Sequence, residues 1–182
     1  MSSGPAVRLR RYQPGDAQPL VDAALESTAQ VFPWMPWCHP GFSLEESEAW
    51  IDHCTTAWDQ DVEYNFIVAD ERDRLLGGCG LNQLRREHRV ANLGYWVRTS
   101  AAGRGVATRA VCELIAFAFR ETELVRLEIL VAVGNHASCR VAEKVGALRE
   151  GVAHDRLYTH GQSHDATIYA VLRSRLAAPT VA

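Results

Sequence analysis

The segment from Gly94 to Ala118 constrains the chain most. Gly94-Tyr95-Trp96-Val97 reads as the end of a strand. Arg98 to Ala102 is a loop of small residues, and Gly103-Arg104-Gly105 opens a helix whose apolar stripe is Ala107, Ala110, Val111, Leu114, Ile115 and Ala118. A helix start exposes unpaired backbone N–H groups and the positive end of the dipole. Glycines let that backbone approach an anion closely. By itself the segment fits either a phosphate cradle or a glycine-eased strand-to-helix turn. It is not a P-loop, because no Gly-Lys-Ser/Thr follows, and the third glycine of a dinucleotide fingerprint is missing.

The rest of the chain reads around this unit. Val7 to Arg11 alternates apolar and charged residues as a short strand. Asp16 is placed to cap a helix with Ala17, Leu20, Val21, Ala24 and Leu25 on its apolar side. Phe32 to Pro40 carries too many prolines for a regular element. Ser43-Leu44-Glu45-Glu46 has capping-box spacing and opens a helix with Ala49, Trp50, Cys54, Ala57 and Trp58 on one side. Tyr64 to Ala69, Leu75 to Leu84 and Val90 to Val97 are strands joined by charged turns, an antiparallel meander. Arg85, Arg86 and Arg89 belong to a solvated turn. Gly77, Gly78 and Gly80 imply a twist, bulge or close backbone approach. Leu127 to Val131 is a strand, Asn135 starts a helix that Gly146 ends, and Leu148 to Asp155 and Ala166 to Leu172 are the last strands. The tail from Ala177 to Ala182 reads as frayed. The order β-α-α-β-β-β-α-β-α-β-β describes an α/β fold, a mixed sheet with helices packed on it, in one domain spanning residues 1–182.

Length and composition bound the function. A chain of 182 residues with 47% hydrophobic and 23% charged residues builds a core without disulfides or metal. Cys38, Cys54, Cys79, Cys112 and Cys139 are odd in number, lack a Cys-x-x-Cys pair and read as reduced thiols. The formal charge of -3 argues against a nucleic-acid partner. No apolar run reaches the ~20 residues of a membrane helix, and Met1 to Arg8 lacks the apolar core of a signal peptide. A cytoplasmic protein with no membrane partner is expected. His160 and His164 have a spacing seen in zinc pairs but no third ligand nearby, so no metal is expected.

Two motifs carry a resemblance to the GNAT acetyltransferases. Ala102-Gly103-Arg104-Gly105-Val106-Ala107 is similar to the family's Gln/Arg-x-x-Gly-x-Gly/Ala loop, matching at Gly105 and Ala107 and departing at Ala102. Asn135-His136-Ala137-Ser138 resembles the Asn-x-x-Ala/Ser helix that ends in Gly-Phe, with Ala147 in place of Phe. Ser138, the Leu148 to Gly151 segment, Tyr158, the Asp165 to Tyr169 strand and Phe32 to Trp37 resemble the ribosomal-protein (RimJ/RimL-type) branch.

The resemblance implies a GNAT-like fold and acetyl-CoA as co-substrate, bound by Trp96, Val97, Ala102, Gly103, Arg104, Gly105, Val106, Ala107, Thr108, Asn135 and Ser138. It implies direct attack by a primary amine on the thioester, with the backbone N–H of Val97 as oxyanion donor. Ser138 would hydrogen-bond or protonate the leaving thiolate, since Ala142 stands where many relatives carry a tyrosine; otherwise it caps the helix. Asn135 caps that helix, with or without touching the pantetheine arm. Trp34, Met35 and Trp37 would wall the acceptor site or cover the core. Glutamates that serve related enzymes as base are absent at Asn92 and near Leu157, which leaves Glu128, His154, Asp155, Tyr158 or a water chain. An α-amine of pKa near 8 is neutral about a tenth of the time at pH 7, a lysine amine roughly 250-fold less often. A weak base therefore suits a protein N-terminus. A small amine (antibiotic, polyamine or amino acid) is the second reading, and a non-catalytic acyl-CoA sensor the third. A homodimer is compatible with each.

Overall fold

The computed structural model describes residues 6–176. The expected tail and the extreme N-terminus lie outside them. The elements follow the expected order: β1 (Arg8–Arg11), α1 (Ala17–Val31), α2 (Leu44–Asp59), β2 (Tyr64–Ala69), β3 (Leu75–Arg85), β4 (Val90–Val97), α3 (Val106–Glu121), β5 (Arg126–Ala132), α4 (His136–Lys144), β6 (Leu148–Thr159), β7 (Gln162–Leu172) and a last turn, α5 (Arg173–Leu176). The seven strands form one mixed sheet in the order β1-β2-β3-β4-β5-β7-β6.

Helices cover both faces of the sheet. Phe66, Val68, Leu93 and Leu127 meet Val106, Val111, Leu114 and Ile115 of α3 in one core. Ile67, Ala69 and Leu75 meet Leu20, Ala24, Ile51 and Cys54 of α1 and α2 in the other. This two-sided cover is why β2 and the first half of β3 are buried without alternation. Each fully buried Leu or Val of these layers contributes roughly 1.5–3 kcal/mol relative to exposure.

Several local expectations shift. Helix α3 begins at Val106 rather than Gly103, because Gly103 and Gly105 lie in the left-handed region (φ 72° and 81°) and cannot extend a right-handed turn. Asp16 holds the N-cap position of α1 but does not cap it. Its carboxylate binds Arg10 at 2.7 and 2.8 Å and accepts the Gln13 N–H. On α2 the buried face is Ser47, Ile51, Cys54 and Ala57, and Trp50 and Ala49 are exposed. Leu25 of α1 is exposed as well. The capping box is present, with Ser43 Oγ accepting the Glu46 N–H and Glu46 accepting the Ser43 N–H. Gly77 and Gly78 mark a close approach, since a Cβ on Gly77 would stand 2.2 Å from the Trp96 carbonyl oxygen. The last two strands run longer than expected and close as a hairpin, with a bulge between Ala153 and Leu157. Arg85 and Arg86 are ion-paired to Glu128 and Asp61 rather than merely solvated. All five cysteines are free, and Cys112 is the exposed one.

Candidate functional site: the split between two strands and the helix start beside it

Strands β4 and β5 run parallel but pair only through Val90–Asn92 and Arg126–Glu128. Beyond Asn92 they part. On its other side β4 stays paired with β3 as far as Val97. The Arg98 N–H donates to the Leu76 carbonyl at 2.8 Å. Peptide groups of a strand face alternate edges. The N–H groups of Tyr95 and Val97 therefore face the gap that β5 leaves.

Alternation also sorts the side chains of β4. Tyr95 and Val97 pack toward α3 and α4, and Trp96 packs toward α1 and α2. The Tyr95 hydroxyl reaches α4, donating to the Ser138 carbonyl at 3.0 Å and lying 2.8 Å from Ser138 Oγ. Burial pushes the Tyr95 phenol up to about 12, so it stays protonated at neutral pH. Asn135 Oδ1 accepts the Ser138 N–H at 3.1 Å and caps α4. Ser138 is thus not the cap. Its N–H is what Asn135 satisfies, and its hydroxyl is turned to Tyr95. Ala142 is fully buried.

The loop that leaves β4 leads straight to the start of α3. Among the described residues no side chain caps this helix. The N–H groups of its first turn, at Val106, Ala107 and Thr108, are aimed outward beside the exposed Ala102-Gly103-Arg104-Gly105 run. A cavity of about 670 Å³ flanks it, lined by Arg72, Arg74, Arg104 and Arg109 against Asp70 and Glu71, a net positive rim. Helix start and arginines together favour a polyanion.

Residues that sequence patterns do not mark hold this loop. Glu26 of α1 accepts the Ser100 N–H at 2.7 Å and the Arg98 Nε at 3.0 Å, and Ser27 Oγ accepts the Thr99 N–H at 3.0 Å. Arg98 holds the Glu26 carboxyl down at about 2. The only signal in the sequence is a pair of polar residues late in an apolar helix. Tyr95 is also missed by that reading, though a tyrosine alternating with core residues on a strand is a fair hint of a buried hydroxyl seeking a partner.

The aromatic loop lies across the other side of the gap. Trp34 reaches the backbone of Gly134, where an added Cβ would lie 3.8 Å from its ring. Met35 packs on the α1/α2 core, and Trp37 sits edge-on between Phe42 and Trp96. His160, at the tip of the β6–β7 hairpin, bonds the Phe32 carbonyl at 2.9 Å and closes the loop from above. The residues expected to bind cofactor and acceptor therefore gather around the open end of β4. The candidate bases do not converge equally. Glu128 stands where the strands part, but Arg85 and Arg126 hold both its oxygens. Tyr158 is exposed on the hairpin. His154 pairs with Asp165 at 2.9 Å, and Asp165 accepts the Val133 N–H through its carbonyl, at the free end of β5. Asp155 only donates its backbone N–H to Asp165. Among the described residues no group of three or more His, Cys, Asp or Glu is arranged to hold a metal, and no helix is long and apolar enough to cross a membrane.

Comparison with known proteins identifies the family. The family described as "Acetyltransferase (GNAT) domain" matches residues 6–148. YdaF of Bacillus subtilis (strain 168), provisionally named a ribosomal N-acetyltransferase, is 33% identical over 172 residues, covering 92% of this chain and 91% of its own. The ribosomal-protein-serine acetyltransferase of Escherichia coli (strain K12) is 30% identical over 105 residues, 58% of each chain. Among solved structures, Mycobacterium smegmatis RimJ in complex with CoA-disulfide superposes with a TM-score of 0.87 at 23% identity, covering 94% of this chain and 84% of that one.

Proposed function

Because the chain belongs to the GNAT acetyltransferase family and is an acetyl-CoA-dependent N-acetyltransferase, we propose that its acceptor is the α-amino group of a protein N-terminus, of the ribosomal-protein type, and that transfer takes place in the gap between β4 and β5. The observation that carries this reading is the parting of the two strands after Asn92, with the Val97 N–H on the open edge.

Each role follows from position. The first turn of α3 and Arg104 hold the pyrophosphate. The amine nitrogen attacks the thioester carbon, and the carbonyl electrons move onto oxygen, where the Val97 N–H stabilises the developing charge. Collapse of the tetrahedral intermediate breaks the C–S bond. The thiolate leaves toward Ser138, whose hydroxyl donates to the sulfur. Tyr95 fixes that hydroxyl by turning its own proton from the Ser138 carbonyl to Ser138 Oγ, which frees the serine proton for the sulfur. The acceptor's ammonium first loses a proton to water, which frees the lone pair that attacks, and the nitrogen loses a second proton to water before the C–S bond breaks; the His154–Asp165 pair is a candidate relay for these protons. Trp34, Met35 and Trp37 border the acceptor's path. All of these groups belong to a cytoplasmic enzyme in this reading.

The test is release of free CoA with a panel of peptides bearing different N-termini, beside polyamines, aminoglycosides and free amino acids. Turnover of peptide α-amines is expected. Turnover confined to the small amines overturns the acceptor assignment, and saturable acetyl-CoA binding without any turnover identifies a sensor instead.

A further inference from the structure

The face of the sheet opposite α3 contains a second cavity, of about 460 Å³, which shares Trp37 with the acceptor's path above and is otherwise unassigned. The rings of Tyr12, Trp37, Phe42, Trp50 and Trp96 and the His53 imidazole surround it. Tyr12 and Phe42 form a buried floor, and Trp37 and Trp50 stand at its walls, 36% and 38% exposed. The rings meet edge to face, Trp37 with Trp96 at 71° and 5.1 Å, Trp37 with Phe42 at 70° and 5.6 Å, and Tyr12 with Trp50 at 87° and 6.3 Å. These rings therefore turn their faces in different directions around one space, and His53 stacks on one face of Trp50 at 5.4 Å and 25°, which leaves that ring only its other face. Large aromatic surface left open to solvent beside a cavity marks a binding site more than a packing accident.

Carboxylates outnumber cationic side chains on the two helices around this chamber, with Glu26 paired to Arg98, Asp59 to Arg11, Glu46 to His39, and His53 of the lining to Glu63. Helix α2, which carries Trp50, bears Glu45, Glu46, Glu48, Asp52 and Asp59 and no lysine or arginine. Helix α1 bears Asp22 and Glu26, again with no lysine or arginine. Glu46 lines the chamber itself. Its carboxylate is held below the ordinary range by His39 and by Ser43, so it is ionised at neutral pH. Aromatic faces and a fixed carboxylate together attract an organic cation and offer little to an anion.

We propose that this chamber receives a lysine side chain of the acceptor peptide, a few residues after the amine that is acetylated. Trp96 forms one wall and is joined through its peptide to Val97, so the chamber adjoins the end of β4 on the α1/α2 face of the sheet. The proposal rests on the peptide-acceptor reading above and narrows it to acceptors with a basic residue near the N-terminus.

The test is calorimetric binding of short N-terminal peptides to the full chain, with one lysine moved through positions two to four and norleucine as its neutral counterpart. For at least one position lysine should bind tenfold tighter or better, about 1.4 kcal/mol. Trp50→Leu and, separately, Glu46→Gln should each remove most of that preference while acetyl-CoA affinity is unchanged. Glutamine still completes a capping box, so Glu46→Gln removes the charge without unmaking the start of α2. Equal binding of lysine and norleucine at every position overturns the proposal, and so does a lysine preference that survives both variants. Spermidine binding that Trp50→Leu abolishes, with peptides indifferent to lysine, also overturns it by making the occupant a free polyamine. Because binding is read without turnover, the chamber is tested even where no peptide is acetylated. Conversely, acetylation of peptides regardless of lysine leaves the transfer reading intact while the chamber assignment falls.

Discussion

Adding one methyl group at Gly77 should cripple acetyl transfer from across the sheet. A Cβ there would stand 2.2 Å from the Trp96 carbonyl oxygen and 2.9 Å from the Val97 Cα. Real Cβ contacts essentially never fall below 3.0 Å, so the Trp96 peptide must retreat by about 0.8 Å. The obstacle is backbone, so no flexible side chain can yield in its place. The retreat moves the peptide that joins Trp96 to Val97, and with it the N–H assigned to the developing oxyanion. Overpacking of this kind costs about 1–3 kcal/mol of stability. A displacement near 1 Å in a reacting constellation costs on the order of 100-fold in rate. The expected phenotype of Gly77→Ala is a folded protein with a Tm lower by several degrees and a kcat down about 100-fold at saturating acetyl-CoA. Gly94→Ala is the control for melting, since its Cβ meets nothing within 4 Å. The assay is CoA release with thermal melting in parallel. A Gly77→Ala protein that keeps wild-type kcat would refute the assignment of the Val97 N–H.

Gly105→Glu sets a negative side chain at the left-handed glycine ahead of α3 and should weaken acetyl-CoA at least about tenfold by calorimetry; unchanged affinity in a folded variant moves the phosphate site elsewhere. Ser138→Ala should lower kcat roughly 10- to 1000-fold with little change in acetyl-CoA affinity. Because Asn135 supplies the cap of α4, melting should hardly shift. Tyr95→Phe should slow transfer less, and the double variant should be no slower than Ser138→Ala alone, whereas additive losses would mean that the two hydroxyls act separately. Glu26→Gln removes charge-assisted bonds to Arg98 and Ser100, worth about 1.5–3 kcal/mol for such groups. The folded-state pKa of Glu26 is depressed from 4.5 to about 2. Its contribution is therefore present above about pH 4.5 and lost as pH falls toward 2. Acid melting curves of wild type and variant should converge over that window, and a gap that persists at pH 2 would assign the stabilisation to something other than this carboxylate.

Much of this architecture is local and therefore legible in the sequence. The element order follows from apolar periodicity, the start of α2 from the Ser43–Glu46 capping box, and the turn ahead of α3 from two glycines that adopt φ 72° and 81° without steric cost. The motifs that carry the family resemblance lie in such segments, where neighbours along the chain set the backbone. What the sequence leaves open depends on partners far along it. Glu26 meets Arg98 across 72 residues, and Tyr95 meets Ser138 across 43. Trp50 illustrates the limit most directly. Helical periodicity sorts α2 into faces, but the sheet chooses Ser47, Ile51, Cys54 and Ala57 for the core and leaves the tryptophan at the edge, over a cavity. The split itself is decided in the same way. Whether β4 keeps β5 beyond Asn92 is a matter of twist and of the partners each strand finds on its other side. Such pairing is settled only when distant segments meet, since inter-strand hydrogen bonds are made by backbone groups that are alike at every residue.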